Sequence, residues 1–133
     1  MSEHARRAIA WRHGYHAAVC GRAGPWAHGT VVRTDDAPSF YEYNLARVEG
    51  PHPPGPGPDA EALAAAAEPV LAGLGHRRIE VEDTVAGARL APGFAAMGWV
   101  VERLADDDGD SKRLCERLGF RTVWVRHVFT RVP

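Results

Sequence analysis

DAEALAAAAEPVLAGLGHRRIEVEDTVAGARLAPGFAAMGWVVERLA, residues 59–105, decides the fold class. Over Asp59–Leu74, residues Leu63, Ala67, Val70, Leu71 and Leu74 fall on one helical face. Asp59 is placed to cap that helix, Gly75 to stop it, and Pro69 removes one backbone bond near its end. RRIEVED, 77–83, changes the period to two. Ile79 and Val81 take one face and Glu80 and Glu82 the other, which is a strand. Helical spacing returns over Val85–Met97, with Leu90, Phe94 and Met97 aligned and Gly98 closing. WVVERLA, 99–105, is a second strand. Helices and strands in alternation imply layers of α on β.

Upstream, Trp11, Tyr15, Val19 and Cys20 predict a short helix over Ile9–Cys20, stopped by Gly21, Gly24 and Pro25. Thr30–Thr34 is β-branched and reads as a strand, Asp35–Ser39 as a turn, and Tyr41–Glu49 as a second strand antiparallel to the first. PHPPGPGPD, 51–59, carries five prolines and is a stiff connector. It is no phosphate cradle, because such a cradle works through backbone N–H groups, proline has none, and Asp59 places negative charge where the phosphate would sit. Downstream come an acidic turn over 106–110, a short helix over Ser111–Leu118 closed by Gly119, and a strand over Phe120–Val132. Gly98-Trp99 and Gly119-Phe120 repeat one helix–Gly–aromatic–strand plan.

With 133 residues, 45% hydrophobic and 25% charged, the chain suits a single globular domain. It divides into an N-terminal helical segment (1–29), a central part (30–105) and a closing helix–strand segment (106–133). Sixteen basic residues, all Arg except Lys112, balance 17 acidic ones and are scattered along the chain. No electrostatic footprint for nucleic acid results. No run approaches a membrane span, and MSEHARRAIAWRHGYH lacks the apolar centre of a secretory signal, so a cytoplasmic protein is expected. Cys20 and Cys115 are too few for a disulfide framework and are expected as reduced thiols.

SKRLCERLGF, 111–120, resembles the closing segment of the GNAT (Gcn5-related) N-acetyltransferases, Ala-x-x-Leu-Tyr-Glu-x-x-Gly-Phe, through Leu114, Glu116, Gly119 and Phe120. PWAHGTVVRT, FYEYNLARVEG and GLGHRRIEVED followed by FAAMGW look similar to the N-terminal half of long members of that family. The resemblance implies an α/β (α+β) fold with a mixed, mostly antiparallel sheet flanked by helices, acetyl-CoA as cofactor, and transfer of an acyl group to a small amine. The family's pyrophosphate motif, Arg/Gln-x-x-Gly-x-Gly/Ala, is absent, and the chain passes directly from WVVERLA into DDDGDSKRL. The expectation is therefore a member degenerate in acetyl-CoA binding. The alternatives are a non-catalytic module that binds a small ligand or forms a homodimer, and a CoA-independent enzyme using the same groove.

On the family's pattern Cys115 stands where a tyrosine usually protonates the departing thiolate. A thiol of ordinary pKa can serve as proton donor, although an apolar helix position more often means packing. Glu80 and Glu82, on one strand face, are candidates for the general base toward an amine; the plainer reading is a solvated sheet face paired with Arg77, Arg78 or Arg103. Tyr41, Tyr43 and Asn44 are candidates for lining a small-molecule groove. His13 and His16 have the i, i+3 spacing of a shared metal, but no Cys-x-x-Cys or His-Glu-x-x-His supports one, and no metal is expected. His127 reads as a hydrogen-bonded strand histidine.

Overall fold

The computed structural model describes residues 2–50, 57–105, 117, 122 and 124–133. The elements run α1 (Glu3–Val19), β1 (Arg22–Trp26), β2 (Gly29–Arg33), a 3-10 turn (Tyr41–Tyr43), β3 (Leu45–Val48), α2 (Ala60–Val70), β4 (Arg77–Val81), α3 (Thr84–Ala96), β5 (Val100–Ala105) and β6 (Val125–Arg131). Six strands form one open sheet in the order β1-β2-β3-β4-β6-β5. Every neighbouring pair is antiparallel except β3 and β4. This is the mixed, mostly antiparallel sheet with flanking helices that the resemblance implies.

Antiparallel neighbours can be joined by a tight turn, but parallel ones need a crossover. The chain leaves β3 at Val48, passes through α2 and returns as β4, with Ala46, Arg47 and Val48 opposite Ile79, Glu80 and Val81. Ile79, Val81 and Phe129 face α2 and α3, where they meet Leu63, Leu71, Leu90 and Phe94 in the hydrophobic core. Phe94 stacks on Phe129 at 4.2 Å between ring centroids and meets Trp99 edge-on. Glu80 and Glu82 accordingly project to the opposite face, which α1 covers through Arg12 and His13.

Several boundaries differ from those the pattern predicts. α1 begins at Glu3, six residues before Ile9, because Ser2 accepts a hydrogen bond from Ala5 N at 3.0 Å and Glu3 pairs with Arg7. Capping and an i, i+4 pair extend a helix that has no apolar stripe there. RAGPW, expected as a helix stop, is edge strand β1, where Pro25 is tolerated. The strand expected over Tyr41–Glu49 is a 3-10 turn followed by β3. α2 ends at Val70, just after Pro69; Arg33 from β2 donates to the carbonyls of Val70 and Ala72, and Gly73 at φ +90° turns the chain. Gly75 is not the stop. Asp59 and Asp83 cap α2 and α3, and Gly98, at φ +83°, closes α3. Of the strand expected over Phe120–Val132, β6 spans Val125–Arg131, and residues 120, 121 and 123 lie outside the described residues. β5 and β6 stay paired from Val100–Thr130 to Ala105–Val125, so no cleft opens between them. The closing segment 111–120, apart from Arg117, lies outside the described residues, and Cys115 with it. No helix among the described residues is long and apolar enough to cross a membrane.

Candidate functional site

Strand alternation builds the site. In β3 and the residue after it, Arg47 and Glu49 flank Val48; in β4 and the residue after it, Glu80 and Glu82 flank Val81. The parallel register brings the two strands' polar side chains onto the face beneath α1, at the strands' carboxyl ends. That end is where open α/β sheets place ligands.

Glu80 is fully buried. Arg12 Nε donates to both its oxygens, at 3.1 and 2.9 Å, and Arg126 Nε stands 2.8 Å from Oε1. Burial pushes the carboxyl pKa up, but the two guanidinium groups overcome it and hold the group below its ordinary value. Arg12 continues to Glu42 at 3.1 Å, and Glu42 contacts Arg78, which donates to Thr130 at 3.0 Å. Glu80 thus sits inside a chain of ion pairs, sealed from solvent.

Glu82 has different company. It contacts His13 Nε2. On the other side of the same ring, His13 Nδ1 lies 4.0 Å from Glu49 Oε2. Arg47 Nε is 3.9 Å from Glu49 Oε1 and equally far from Glu82 Oε1. Glu82 and Arg47 are buried, with side-chain exposures of 4% and 5%, whereas His13 keeps 31% and Glu49 23%. The cluster therefore has a solvent side made by His13 and Glu49.

Its backbone is clamped. Trp26 donates its indole N–H to the Arg47 carbonyl at 2.7 Å, and Trp124 does the same to Glu82 at 2.8 Å. Glu49 N donates to His28 O, and Glu82 N to Val48 O. Gly29 is required beside this point: a Cβ there would stand 2.5 Å from the Arg47 carbonyl and 2.9 Å from Glu49 Cγ. Next door, His16 is buried, and its Nδ1 accepts from Arg47 at 2.7 Å. Burial, then Arg12 and Arg47, lower its pKa to about 4, so the ring is neutral.

The residues singled out in sequence are spread over several environments. Glu80 and Glu82 share a face, as the alternation predicts, but it is a covered face, and their cations are Arg12, Arg126 and Arg47. Asn44 is fully buried: Nδ2 donates to Ala37 and Phe40 carbonyls, and Oδ1 accepts from Thr34 N. Tyr41 stacks on His76 at 4.0 Å, while Tyr43 shares a hydrogen bond with Tyr15 at 2.7 Å. Tyr41, Tyr43 and Asn44 hold the loop before β3. His13 and His16 share no partner. Arg12, Arg47 and Glu49 join the site beyond the candidates of the sequence; the signal for the last two is the R-V-E of 47–49, which matches the E-V-E of 80–82.

A cavity of about 360 Å³ opens beyond the end of β4, lined by Ser2, Ala5, Asp83, Thr84, Val85, Thr122, Trp124 and Val125. Its size suits a small ligand. Three of its polar side chains are engaged, however: Ser2 and Asp83 cap helices, and Thr84 Oγ1 donates to the Val125 carbonyl at 2.6 Å. It offers shape without convergent chemistry, and His13, Glu49 and Glu82 do not line it.

Comparison of the chain with protein-family models, with curated proteins and with solved structures found no match in any of the three.

Proposed function

We propose that this chain is a small-ligand-binding domain of the cytoplasm, similar in build to an acyltransferase but not using acyl-CoA, and that its working site is the His13–Glu49–Glu82 cluster. One observation carries the reading. Of the two carboxylates suited to act as base, Glu80 is locked between two arginines, whereas Glu82 is joined to a histidine that reaches solvent. A carboxylate held ionised by two guanidinium groups is a poor proton acceptor. His13 and Glu49 present a polar, charged opening to a small molecule, and the clamped backbone keeps it preorganised.

The absence of an Arg/Gln-x-x-Gly-x-Gly/Ala segment from the sequence speaks against acetyl-CoA, since it removes the backbone N–H donors that would hold the pyrophosphate. Calorimetric titration of the folded chain tests this. Acetyl-CoA at millimolar concentration is expected to give no binding heat; saturable binding together with acetyl transfer to a diamine would overturn the reading.

A second reading, a homodimer, is favoured by one feature. Trp11, Tyr15 and Phe40 are 69%, 37% and 49% exposed. Trp11 and Tyr15 stack nearly parallel, Tyr15 meets Tyr43, and Phe40 packs edge-on to Tyr43. A continuous exposed aromatic strip is the kind of surface that pairs with another chain. Light scattering at high concentration is expected to give twice the chain mass, reduced to one by W11A/F40A; a monomer for the unsubstituted chain contradicts this second reading.

A further inference from the structure

Three side chains from three elements converge at the site: His13 from α1, Glu49 after β3 and Glu82 after β4. One ligand atom from each lies within 4.8 Å of the other two. Ligands about 2 Å from a common metal stand roughly 3–4 Å apart, so modest side-chain rotation brings the three onto one ion. An imidazole nitrogen with two carboxylates is a donor set for a divalent transition metal, harder than a thiolate site and softer than an all-oxygen one.

Two further observations point to a missing ligand. Glu49 Oε1 is buried and has no hydrogen-bond partner, although Gly29 lets the backbone close in beside it. Arg47 Nε is likewise buried without a hydrogen bond, in a side chain only 5% exposed; Glu49 Oε1 and Glu82 Oε1 face it at 3.9 Å, in ion-pair range but too far for a hydrogen bond. Buried polar atoms of native proteins are normally paired, so two orphans converging on one point call for an absent group. A metal would satisfy the carboxylate oxygen. A water or anion on that metal would accept the Arg47 N–H.

Resting on the ligand-binding reading above, we infer that His13, Glu49 and Glu82 hold one divalent transition-metal ion with an open coordination position facing solvent. Charge then fixes the class of small ligand. The ion cancels the two carboxylates, and Arg47 leaves one positive charge beside the open position. A small monoanion such as a carboxylate fits there, bound through the metal and balanced by the Arg47 charge behind it. His16, neutral and buried behind Arg47, adds no charge to this balance; Arg12, whose charge lies between Glu80 and Glu42, is already paired.

The experiment uses the full chain, stripped with chelator, and Co²⁺ alone as probe. The expected result is one Co²⁺ per chain with visible absorption bands, displaced by one equivalent of Zn²⁺. H13Q and E49Q are expected to weaken binding by about tenfold or more, with circular dichroism confirming that both still fold. H4Q, which alters an exposed histidine elsewhere on α1, is expected to leave binding unchanged. Adding acetate is expected to change the bands of the wild type and not those of R47L. Absence of saturable Co²⁺ binding in a folded sample, or equal binding by H13Q, overturns the metal site. Because no organic ligand is needed for the Co²⁺ titration, it can fail while small molecules still bind at His13, and the reverse can also occur.

Discussion

At the scale of single residues, the polar face is governed by which charges are sealed and which are open. Glu80 is the sealed one. Removing its charge leaves Arg12 and Arg126 facing each other across a buried gap, and breaking such a pair from one side is expensive. E80Q is expected to lose about 3 kcal/mol in chemical denaturation; a loss under about 1 kcal/mol would mean that the network contributes little. His16 makes a prediction about pH. Its pKa is about 4 in the fold, below the ordinary value of 6.5. Its stabilising contribution is complete above pH 6.5 and declines towards pH 4, because only the unfolded chain takes up the proton there. Glu80, also held below its ordinary value, adds loss of the same sign at still lower pH. Denaturation at stepped pH should show stability falling through this window, with H16Q removing on the order of 2 kcal/mol of the slope. An H16Q variant with the same slope as the wild type would refute the assignment.

At the scale of elements, sequence and structure agree where apolar period and caps coincide. Asp59 starts α2 and Gly98 closes α3, as the pattern predicts, and the alternation in 77–83 puts Glu80 and Glu82 on one face. They part where long-range contacts decide. Nothing local shows that Arg33 caps α2, and nothing in EHARRA shows that Ser2 starts a helix whose Arg12 and His13 reach Glu80 and Glu82, 68 and 69 positions away. The site was half readable for the same reason: its carboxylates follow from strand period, its cations from tertiary packing. Gly87 offers a test at this scale. Helix propensity alone favours G87A by about 1 kcal/mol. But a Cβ at 87 would stand 2.6 Å from His127 Cγ, where α3 presses on β6. We expect G87A to lose about 1–3 kcal/mol by overpacking; a raised melting temperature would show that α3 has room to lift from the sheet.

At the scale of the whole molecule, the sheet is two antiparallel parts joined at one parallel pair, β3 and β4. Apolar helices cover one face and a charged helix the other. The only crossover between neighbouring parallel strands of the described sheet delivers Glu49 and Glu82 side by side, and α1 brings His13 over them. That arrangement makes the carboxyl ends of β3 and β4 the chemically convergent point, ahead of the cavity beside Ser2 and Trp124. On this reading a ligand goes to the charged cluster and not to the cavity. Amide-resolved NMR of the full chain, titrated with a mixture of small carboxylates, amines and amino acids, tests it most directly. The account predicts shifts centred on His13, Glu49 and Glu82 that vanish in H13Q, and none with acetyl-CoA. Shifts centred on Ser2, Thr84 and Trp124, or on residues 57–60 with acetyl-CoA, would contradict it.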